Sequence, residues 1–395
     1  MKTISICGKN VKNIISDDSF IEPVNIAGVS VNCGLIHTKD IEFDRHAVEN
    51  RERVLIKIIA FSCNYRDKAI ILSTATQANS NTFNAVGSDF VAEVIEVGTE
   101  VTDFKPGDRV INNNAYPHSG AAGVKEGVPT NHGSKEYRIL HQVKLIKIPA
   151  QMPDEVAAGF SIGAQTSYSM MRKLDLHQGD RVLVTAARSN TSLFVVNALQ
   201  KYRSSLGVKV YATTTSPEYS DRLIALGIDR LIPIDTTTSD WLKPEVAQEI
   251  MLETGGFNGI IDPFFDIHLP LLIHTLVNGG KYITCGFHNQ YQQLLGGSAL
   301  KMNPNLADVM AQVIINNLQI IGNCIGFTSD LEQAIEDYTT GKLSVIVDSV
   351  YSDRQIKDFF HRTYNSNDRF GKVIYKYAPD TLSGYLRSQL FQTVS

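Results

Sequence analysis

The sequence predicts an α/β protein that joins a β-rich domain to a doubly wound domain with a six-stranded parallel sheet. Three observations support this prediction. The chain has 395 residues, more than one hydrophobic core usually serves, so two domains are expected. Residues 1–155 are rich in β-branched runs and turns, whereas strand and helix patterns alternate over 156–327. Two further strand patterns after residue 327 indicate that residues 328–395 return to the first domain.

The first domain contains β-branched runs at 53–63 and 89–98, and the partial alternation at 53–63 and 144–148 predicts half-buried strands. A Pro-Gly corner at 106–107 predicts a turn that leads into another strand. The Asn-, Gly- and Pro-rich stretch 112–134 predicts a long surface loop.

The second domain begins near Pro153 with a helical pattern, and strands and helices then alternate. The helix after the first strand is expected to end at Gly207, and a second helix is expected to end at Gly227. Such sheets bind ligands at the carboxyl ends of their strands. The six predicted strands cover 181–186, 208–213, 231–234, 259–264, 281–287 and 318–327.

Composition excludes several classes of protein. A net charge of −4 gives no basic stripe, so neither nucleic acid nor an anionic membrane is an expected partner. No signal-peptide pattern or membrane-length apolar segment occurs, so a cytoplasmic protein is expected. The five cysteines are scattered and never form C-x-x-C, which predicts reduced thiols rather than a disulfide framework or a clustered zinc site.

The stretch VLVTAARSNTSLF at 182–194 reads as strand, tight turn and helix. This is the arrangement of a dinucleotide site, where a phosphate lies at the helix N-terminus. Such turns are normally rich in glycine, and this turn has none. The stretch therefore predicts either a cofactor site with altered chemistry or a scaffold that has lost the cofactor.

Four motifs occur in an order that resembles the medium-chain dehydrogenase/reductase superfamily, and the resemblance covers nearly the whole chain. It implies a GroES-like catalytic domain, a Rossmann domain, a cleft between them and a homodimer. NYRD at 64–67 is similar to quinone oxidoreductases and enoyl reductases rather than to alcohol dehydrogenases. The motifs are FSCNYRDKA (61–69), VGSDFVAEVIEVGTEVTDFKPGDRV (86–110), GSKEY (133–137) and RFGKVIYKY (369–377).

The resemblance also predicts that no zinc is bound. A catalytic zinc needs three protein ligands with suitable donors. At the three positions where the zinc-dependent branch supplies them, this chain has Asn64, Ser88 and Ile162. The loop 112–134 lacks the four cysteines of a structural zinc lobe.

The turn residues can compensate for the missing glycines through backbone conformation and through side-chain hydrogen-bond donors. Asn190 tolerates the left-handed conformation, and Ser189 and Thr191 can cap the helix and donate hydroxyls to a phosphate. Arg188 can supply a charge-assisted bond, and Ala187 is small. Alternatively, these side chains fill the groove, and the chain is a non-catalytic binding or interaction protein.

The cofactor is expected to be NADPH rather than NADH. Thr214 occupies the position of the carboxylate that an NAD site uses, and Ser216, Tyr219 and Arg222 can contact a 2′-phosphate. By the resemblance, Thr166 lies at the nicotinamide end and Lys372 near the phosphates. Strand-end residues expected in the site are Pro263, Phe264, Gly286 and Phe287.

Without zinc, hydride transfer to a polarised C=C bond is the expected chemistry. Tyr65 is the candidate hydrogen-bond donor, Asn64 is expected to orient the substrate carbonyl, and Lys68 lies further off. Alternatively, Tyr65 only packs in the cleft wall. The substrate is expected to be a small molecule or a modified peptide: an enone, a quinone, or a dehydroamino acid such as dehydroalanine.

Overall fold

The computed structural model describes residues 1–8, 11, 19–76, 82–127, 131–235, 243–288 and 306–378. In this part of the chain, the first nine strands form two sheets. The strands are β1 (Lys2–Cys7), β2 (Phe20–Ile26), β3 (Val29–His37), β4 (Arg53–Ser62), β5 (Phe83–Ala85), β6 (Asp89–Val97), β7 (Arg109–Asn112), β8 (Tyr137–His141) and β9 (Leu145–Lys147).

The smaller sheet has the order β2-β3-β1-β5, and the larger one contains β4, β6, β7 and β9 as neighbours, with β8 paired to β4. Two late strands, β16 (Val347–Tyr351) and β17 (Lys372–Lys376), complete the larger sheet, because β17 pairs antiparallel with β4. The end of the chain therefore packs beside its first third.

The parallel sheet between these segments confirms the predicted fold class. Its order is β12-β11-β10-β13-β14-β15, with every neighbouring pair parallel. The order reverses between β10 and β13, which is where a doubly wound sheet opens a ligand crevice. The strands are β10 (Arg181–Val184), β11 (Lys209–Thr214), β12 (Arg230–Pro233), β13 (Phe257–Asp262), β14 (Leu276–Thr284) and β15 (Gln319–Gly322).

The helices carry residues to the ends of these strands. The helix after β10 ends at Gly207 in the left-handed conformation (φ 65°), as predicted, because glycine has no Cβ to clash there. The helices are α1 (Tyr65–Thr76), α2 (Asp154–Ala157), α3 (Ser161–Leu174), α4 (Asn190–Leu206), α5 (Ser220–Ile224), α6 (Pro244–Thr254), α7 (Phe265–Leu272), α8 (Leu306–Ile315), α9 (Thr328–Thr339) and α10 (Ile356–Tyr364).

Three sequence predictions about these segments need correction. The strand predicted at 318–327 ends at Gly322, and the helix predicted at 219–227 covers only Ser220–Ile224. The start of the predicted surface loop at 112–134 is buried, because Asn112 donates to Ser88 O (3.1 Å) and accepts from Phe90 N (2.9 Å). These hydrogen bonds of the Asn112 side-chain amide satisfy backbone groups at the strand ends that water would otherwise reach.

One hydrophobic core joins the two domains. Val182, Val184 and Val196 of the parallel-sheet domain belong to the same buried cluster as Val91 and Ile374 of the other domain. The cleft walls are therefore packed against each other at their base. Within the described residues, no helix combines the length and apolarity needed to cross a membrane.

Candidate functional site

A cleft of about 580 Å³ runs between the domains along the carboxyl ends of β10, β11 and β13. Its walls come from α1, α3, the turn before α4 and the segment before β17. From their sequences, the loop 112–134 and the segment 288–303 are candidates to line or cover the cleft, and residues 289–303 lie outside the described residues. The structure places twelve of the predicted site residues in the cleft wall: Asn64, Tyr65, Thr166, Ala187, Arg188, Ser189, Asn190, Thr191, Thr214, Pro263, Phe264 and Gly286.

Six predicted site residues do not line this cleft. Phe287 lines a neighbouring cavity of about 570 Å³. Lys68 faces the Tyr65 ring, with its amino nitrogen 5.4 Å from the ring centroid, and burial lowers its pKa. The other four, whose surroundings follow below, are Ser216, Tyr219, Arg222 and Lys372.

Lys372 is a buried cation behind Asn64, at one end of the cleft. Only 1% of it is exposed, and its amino group donates to Asn64 Oδ1 (2.6 Å), Asp89 Oδ2 (2.9 Å) and Ser62 Oγ (3.4 Å). These bonds use all three of its N–H donors. The geometry therefore contradicts the predicted contact of Lys372 with cofactor phosphates.

The predicted role of Asn64 also needs correction. Its Nδ2 donates to Ser88 Oγ (2.9 Å) and Asp89 Oδ2 (2.7 Å), while its Oδ1 accepts from Lys372. Both amide hydrogens are thus engaged inside the protein, so none is left to orient a substrate carbonyl. Asn64 holds the corner together instead.

Asp67 closes this polar corner from the other side. Its Oδ2 accepts from Asn64 N (2.7 Å) and from the Ser88 hydroxyl, while its buried Oδ1 has no partner among the described residues. Burial raises the pKa of Asp67 to about 6, although these two hydrogen bonds oppose the shift. Asp67 therefore titrates close to neutral pH.

Asp89 links the corner to the parallel-sheet domain. Its Oδ1 accepts from the backbone N–H of Ile162 (2.8 Å), in the first turn of α3. A carboxylate there satisfies an unpaired helix donor and complements the positive end of the helix dipole. The three positions compared with zinc ligands, Asn64, Ser88 and Ile162, thus meet around Asp89 and the Lys372 ammonium group.

Tyr65 lies at the mouth of the corner. Its hydroxyl donates to His288 O (2.8 Å), and its ring meets Phe264 edge-on at 5.6 Å. The hydroxyl is exposed and therefore accessible from the cleft. Thr166, one turn further into α3 and 7% exposed, faces the same space.

The glycine-free turn keeps the cleft open. Ala186 takes the left-handed conformation (φ 47°), whereas Asn190, predicted to do so, is the first residue of α4. Ser189 caps the helix as predicted, because its Oγ accepts from Ser192 N (3.1 Å). Ser189 Oγ donates to Ser192 Oγ (2.8 Å), which donates to Thr185 O (2.7 Å), so both hydroxyl hydrogens are used within the turn.

Arginine side chains flank the turn. Arg188 Nη2 donates to Asn367 O (2.7 Å), but its buried Nη1 has no partner among the described residues. Arg369 Nη1 donates to Asn190 Oδ1 (3.1 Å), and burial lowers the pKa of Arg369. Sequence reasoning missed Arg369, although it lies in the RFGKVIYKY motif.

A four-layer stack explains why the residues predicted to meet a 2′-phosphate lie outside the cleft. Arg188 lies 4.2 Å from the Tyr219 ring centroid, Tyr219 stacks on Phe370 at 5.8 Å, and Arg222 covers Phe370 at 3.9 Å. Cation–π contacts of this kind stabilise a folded turn. Thr214 meanwhile accepts from Ser216 N (3.1 Å) and shapes the end of β11.

A buried cluster fixes the end of β13. Asp262 accepts from Thr185 Oγ1 (2.5 Å), Phe264 N (2.8 Å) and the Tyr282 hydroxyl, and it meets His268 Nδ1 at 2.8 Å. Burial opposes ionisation of Asp262, but these partners outweigh it and lower the pKa. The cluster ties β10, β13 and β14 together beneath the cleft.

The charge of the cleft is one-sided. Arg66, Arg188 and Arg369 line it, and no Asp or Glu among the described residues does. Arg66 was missed by the sequence reasoning, although it stands inside NYRD. Such a cleft attracts anions, because its low-dielectric walls focus the field of the cations.

Comparisons with known proteins agree with this architecture. Residues 50–150 match the family model of the alcohol dehydrogenase GroES-like domain. The chain is 25% identical to the acryloyl-coenzyme A reductase of Metallosphaera sedula over 304 residues, 73% of this chain and 82% of that one. It is 25% identical to quinone oxidoreductase-like protein 2 of Bos taurus over 300 residues, 73% and 75% of the two chains.

The same fold occurs in solved structures. A crystal structure of an NAD-dependent alcohol dehydrogenase matches with a TM-score of 0.70 and 20% identity, over 96% of this chain and 100% of that one. The overall fold is thus shared over nearly the whole chain.

Proposed function

The chain belongs to the medium-chain dehydrogenase/reductase superfamily of nicotinamide-dependent oxidoreductases, and from this premise we propose that it reduces a polarised C=C bond with NADPH and without zinc. One observation carries the proposal. The same cleft contains an accessible tyrosine hydroxyl at one end and an arginine-flanked helix N-terminus at the other. The helix N-terminus would bind the phosphates of a dinucleotide, and the tyrosine hydroxyl would stabilise an enolate.

The residues present fit a dinucleotide diphosphate. The unpartnered Nη1 of Arg188 is a donor that a phosphate oxygen would satisfy. Arg369 supplies a second positive charge at this turn, where it donates to Asn190 Oδ1. The Ser189 cap engages Ser192 N, and the first two residues of α4, Asn190 and Thr191, line the cleft. Bound NADPH would supply the hydride, with its nicotinamide end towards Thr166.

Two features favour NADPH over NADH. At the end of β11, Thr214 occupies the position of the ribose-binding carboxylate, and no described carboxylate lines the cleft. Arg222 and Ser216 lie close to that strand end and could contact a 2′-phosphate, whereas the acids of that segment, Glu218 and Asp221, do not line the cleft. Contact with Arg222 would require the aromatic stack to open.

Zinc independence is supported by what occupies the corner. Catalytic zinc is held by nitrogen, sulfur or carboxylate donors with one open position. Here the amide of Asn64 replaces a thiolate, and the Lys372 ammonium group already neutralises Asp89. A second cation in this corner would be repelled.

Tyr65 is the proposed hydrogen-bond donor to the substrate carbonyl. Its hydroxyl now donates to His288 O, and a substrate oxygen could replace that carbonyl as the acceptor. A donor at this oxygen stabilises the enolate that forms when hydride reaches the β-carbon. Lys68 beside the ring adds a positive field.

The test follows NADPH absorbance with a panel of enones, quinones and dehydroalanine peptides. We expect turnover of at least one class, and Tyr65→Phe should lower kcat by about 100-fold, as for other oxyanion donors. Tyr351→Phe, which removes a tyrosine hydroxyl on β16 outside the cleft wall, is the matched control. If Tyr65→Phe turns over normally, Tyr65 only packs in the wall.

A binding protein without catalysis is the second candidate, because the turn lacks every glycine that such sites normally use. Fluorescence titration with NADPH separates the two. Binding in the micromolar range supports the reductase, whereas no binding at millimolar concentration leaves the scaffold.

A homodimer is part of the proposal. The edge strand β15 exposes Ile320, and the adjacent α8 exposes Met310, Ile314 and Ile315. An uncovered edge with apolar side chains is a common self-association surface. Light scattering with size-exclusion chromatography is expected to give twice the chain mass, and Ile320→Lys should yield monomers.

A further inference from the structure

Two of the three arginines in the cleft are accounted for by a dinucleotide. Arg188 stands on the phosphate turn, and Arg369 donates to Asn190 at the start of α4. Arg66 is different, because it lies in the first turn of α1, on the opposite wall and next to Tyr65. Arg66 therefore lies where the substrate would bind, not where the diphosphate would bind.

Arg66 also lacks a counter-ion. Its side chain is exposed, and it makes no ion pair or hydrogen bond with the residues that the structure describes. The adjacent Asp67 is buried and turned towards Asn64 N and Ser88, so it does not neutralise Arg66. The other two arginines of the cleft wall each donate to a backbone carbonyl, Arg188 to Asn367 O and Arg369 to Gly371 O.

The sequence beyond the cleft wall supplies no carboxylate either. Residues 289–305, which follow the cleft residue His288, contain no Asp or Glu. Among the described residues, no carboxylate lines the cleft wall that Arg66 shares, and Asp266, which accepts from His288 N (2.7 Å), lies outside that wall. An anion that entered the cleft beside Arg66 would gain a charge-assisted, bidentate bond.

We propose that Arg66 binds an anionic group of the substrate, so that the substrate class is an α,β-unsaturated compound bearing a carboxylate or a phosphate. This inference rests on the proposed reductase function and narrows its substrate. The guanidinium would hold the anionic end while Tyr65 donates to the carbonyl, which sets the position of the β-carbon. Neutral enones and uncharged dehydroalanine peptides would lack this anchor.

The experiment compares three unsaturated carbonyl compounds with NADPH as the reductant. These are 3-penten-2-one (neutral), 4-oxo-2-pentenoate (carboxylate) and crotonyl-coenzyme A (phosphate). We expect the protein to prefer one of the charged compounds over the neutral one by about tenfold or more in kcat/KM, the worth of one charge-assisted bond. The preferred compound identifies whether the anion is a carboxylate or a phosphate.

Arg66→Gln should remove most of that preference, chiefly through KM, whereas Arg66→Lys should retain part of it. Arg45→Gln, which deletes an exposed arginine outside the cleft wall, is the charge-matched control and should keep the preference. Raising the salt concentration should weaken the preference in the unsubstituted protein but not in Arg66→Gln, because salt screens the ion pair. Melting temperatures establish that each variant is folded.

The two proposals fail differently. If Arg66→Gln lowers kcat/KM equally for all three compounds, or if the protein prefers none, the anion anchor is overturned and the reductase stands. If NADPH binds but no unsaturated compound on the panel is reduced, the proposed function itself fails, and the anchor falls with it.

Discussion

The polar corner around Lys372 and the phosphate turn at 185–192 are both places where this chain departs from its superfamily's pattern. In the corner, every hydrogen of the Asn64 amide and the Lys372 ammonium group has a protein acceptor. At the turn, the buried Nη1 of Arg188 has none among the described residues, and the cleft remains open along Ala187 and Thr191.

This difference in hydrogen-bond satisfaction indicates a different role for each region. A buried network whose N–H donors are all engaged holds its members in one geometry and leaves none of these donors to bind a ligand. A turn with an unsatisfied donor beside an open cleft is stabilised when a ligand fills it. We therefore interpret the corner as a structural replacement for a metal site and the turn as a retained binding site.

The largest effect is expected from breaking the corner. Lys372→Met leaves the fully buried Asp89 carboxylate without its cation, so the free energy of unfolding should fall by about 3–5 kcal/mol. Urea denaturation followed by circular dichroism measures it. Lys376→Met, on the same strand and half-buried against Glu155, is the control and should cost about 1 kcal/mol or less. Combining Lys372→Met with Asp89→Asn should recover part of the loss; no recovery would contradict the pairing.

The pH dependence of stability provides a second test of the polar corner. The pKa of Asp67 is about 6 in the folded protein and about 4 when unfolded. Between these values only the folded state keeps the proton, so this group lowers stability as the pH rises from 4 to 6 and costs roughly 2–3 kcal/mol above that range. Asp67→Asn should remove this dependence relative to the unsubstituted protein.

Urea titrations at several pH values measure the Asp67 effect as a difference between the two proteins. Asp103→Asn, at an exposed position, is the control and should leave the pH profile unchanged. Parallel profiles for Asp67→Asn and the unsubstituted protein would show that folding does not raise the pKa of Asp67.

At the turn, Arg188→Gln should weaken NADPH and NADH binding alike by about tenfold, because the lost charge-assisted bond is to the diphosphate that both share. Fluorescence titration measures both affinities. Arg222→Gln, at the far end of the aromatic stack, should weaken NADPH binding while leaving NADH binding unchanged. Equal losses for both cofactors on Arg222→Gln would contradict its contact with the 2′-phosphate.

The smallest effect tests the missing glycine itself. Ala186 carries a positive φ of 47°, which strains a residue with a Cβ, so Ala186→Gly should stabilise the protein by up to about 1 kcal/mol. Ala187→Gly, next to it and without a positive φ, should destabilise by a similar amount. Thermal melting compares the two. A lower melting temperature for Ala186→Gly would show that the turn is not strained.

Sequence reasoning succeeded where neighbours along the chain decide the outcome. Ser189 caps α4 because its hydroxyl reaches an N–H three residues on, and Gly207 ends that helix because it lacks a Cβ. The same reasoning misplaced the left-handed residue. Because Ser189 is the N-cap, Asn190 is the first helical residue, and Ala186 instead adopts the left-handed conformation that reverses the chain.

It failed where distant segments meet. Lys372 lies 308 residues from Asn64 and 283 from Asp89, so no local pattern indicates that its amino group fills the corner. The cleft-facing positions of Arg66 and Arg369 were missed for the same reason. The aromatic stack that draws Tyr219 and Arg222 away from the cleft depends on Phe370, from the returning end of the chain.

The sequence by itself determined the two domains, the six parallel strands and the capped helix behind the turn, because periodicity and capping are set by residues a few positions apart. Only the tertiary structure decided which polar groups are consumed by partners and which face the cleft. That decision depends on burial and on hydrogen bonds between segments hundreds of residues apart, where a donor can satisfy either the protein or a ligand.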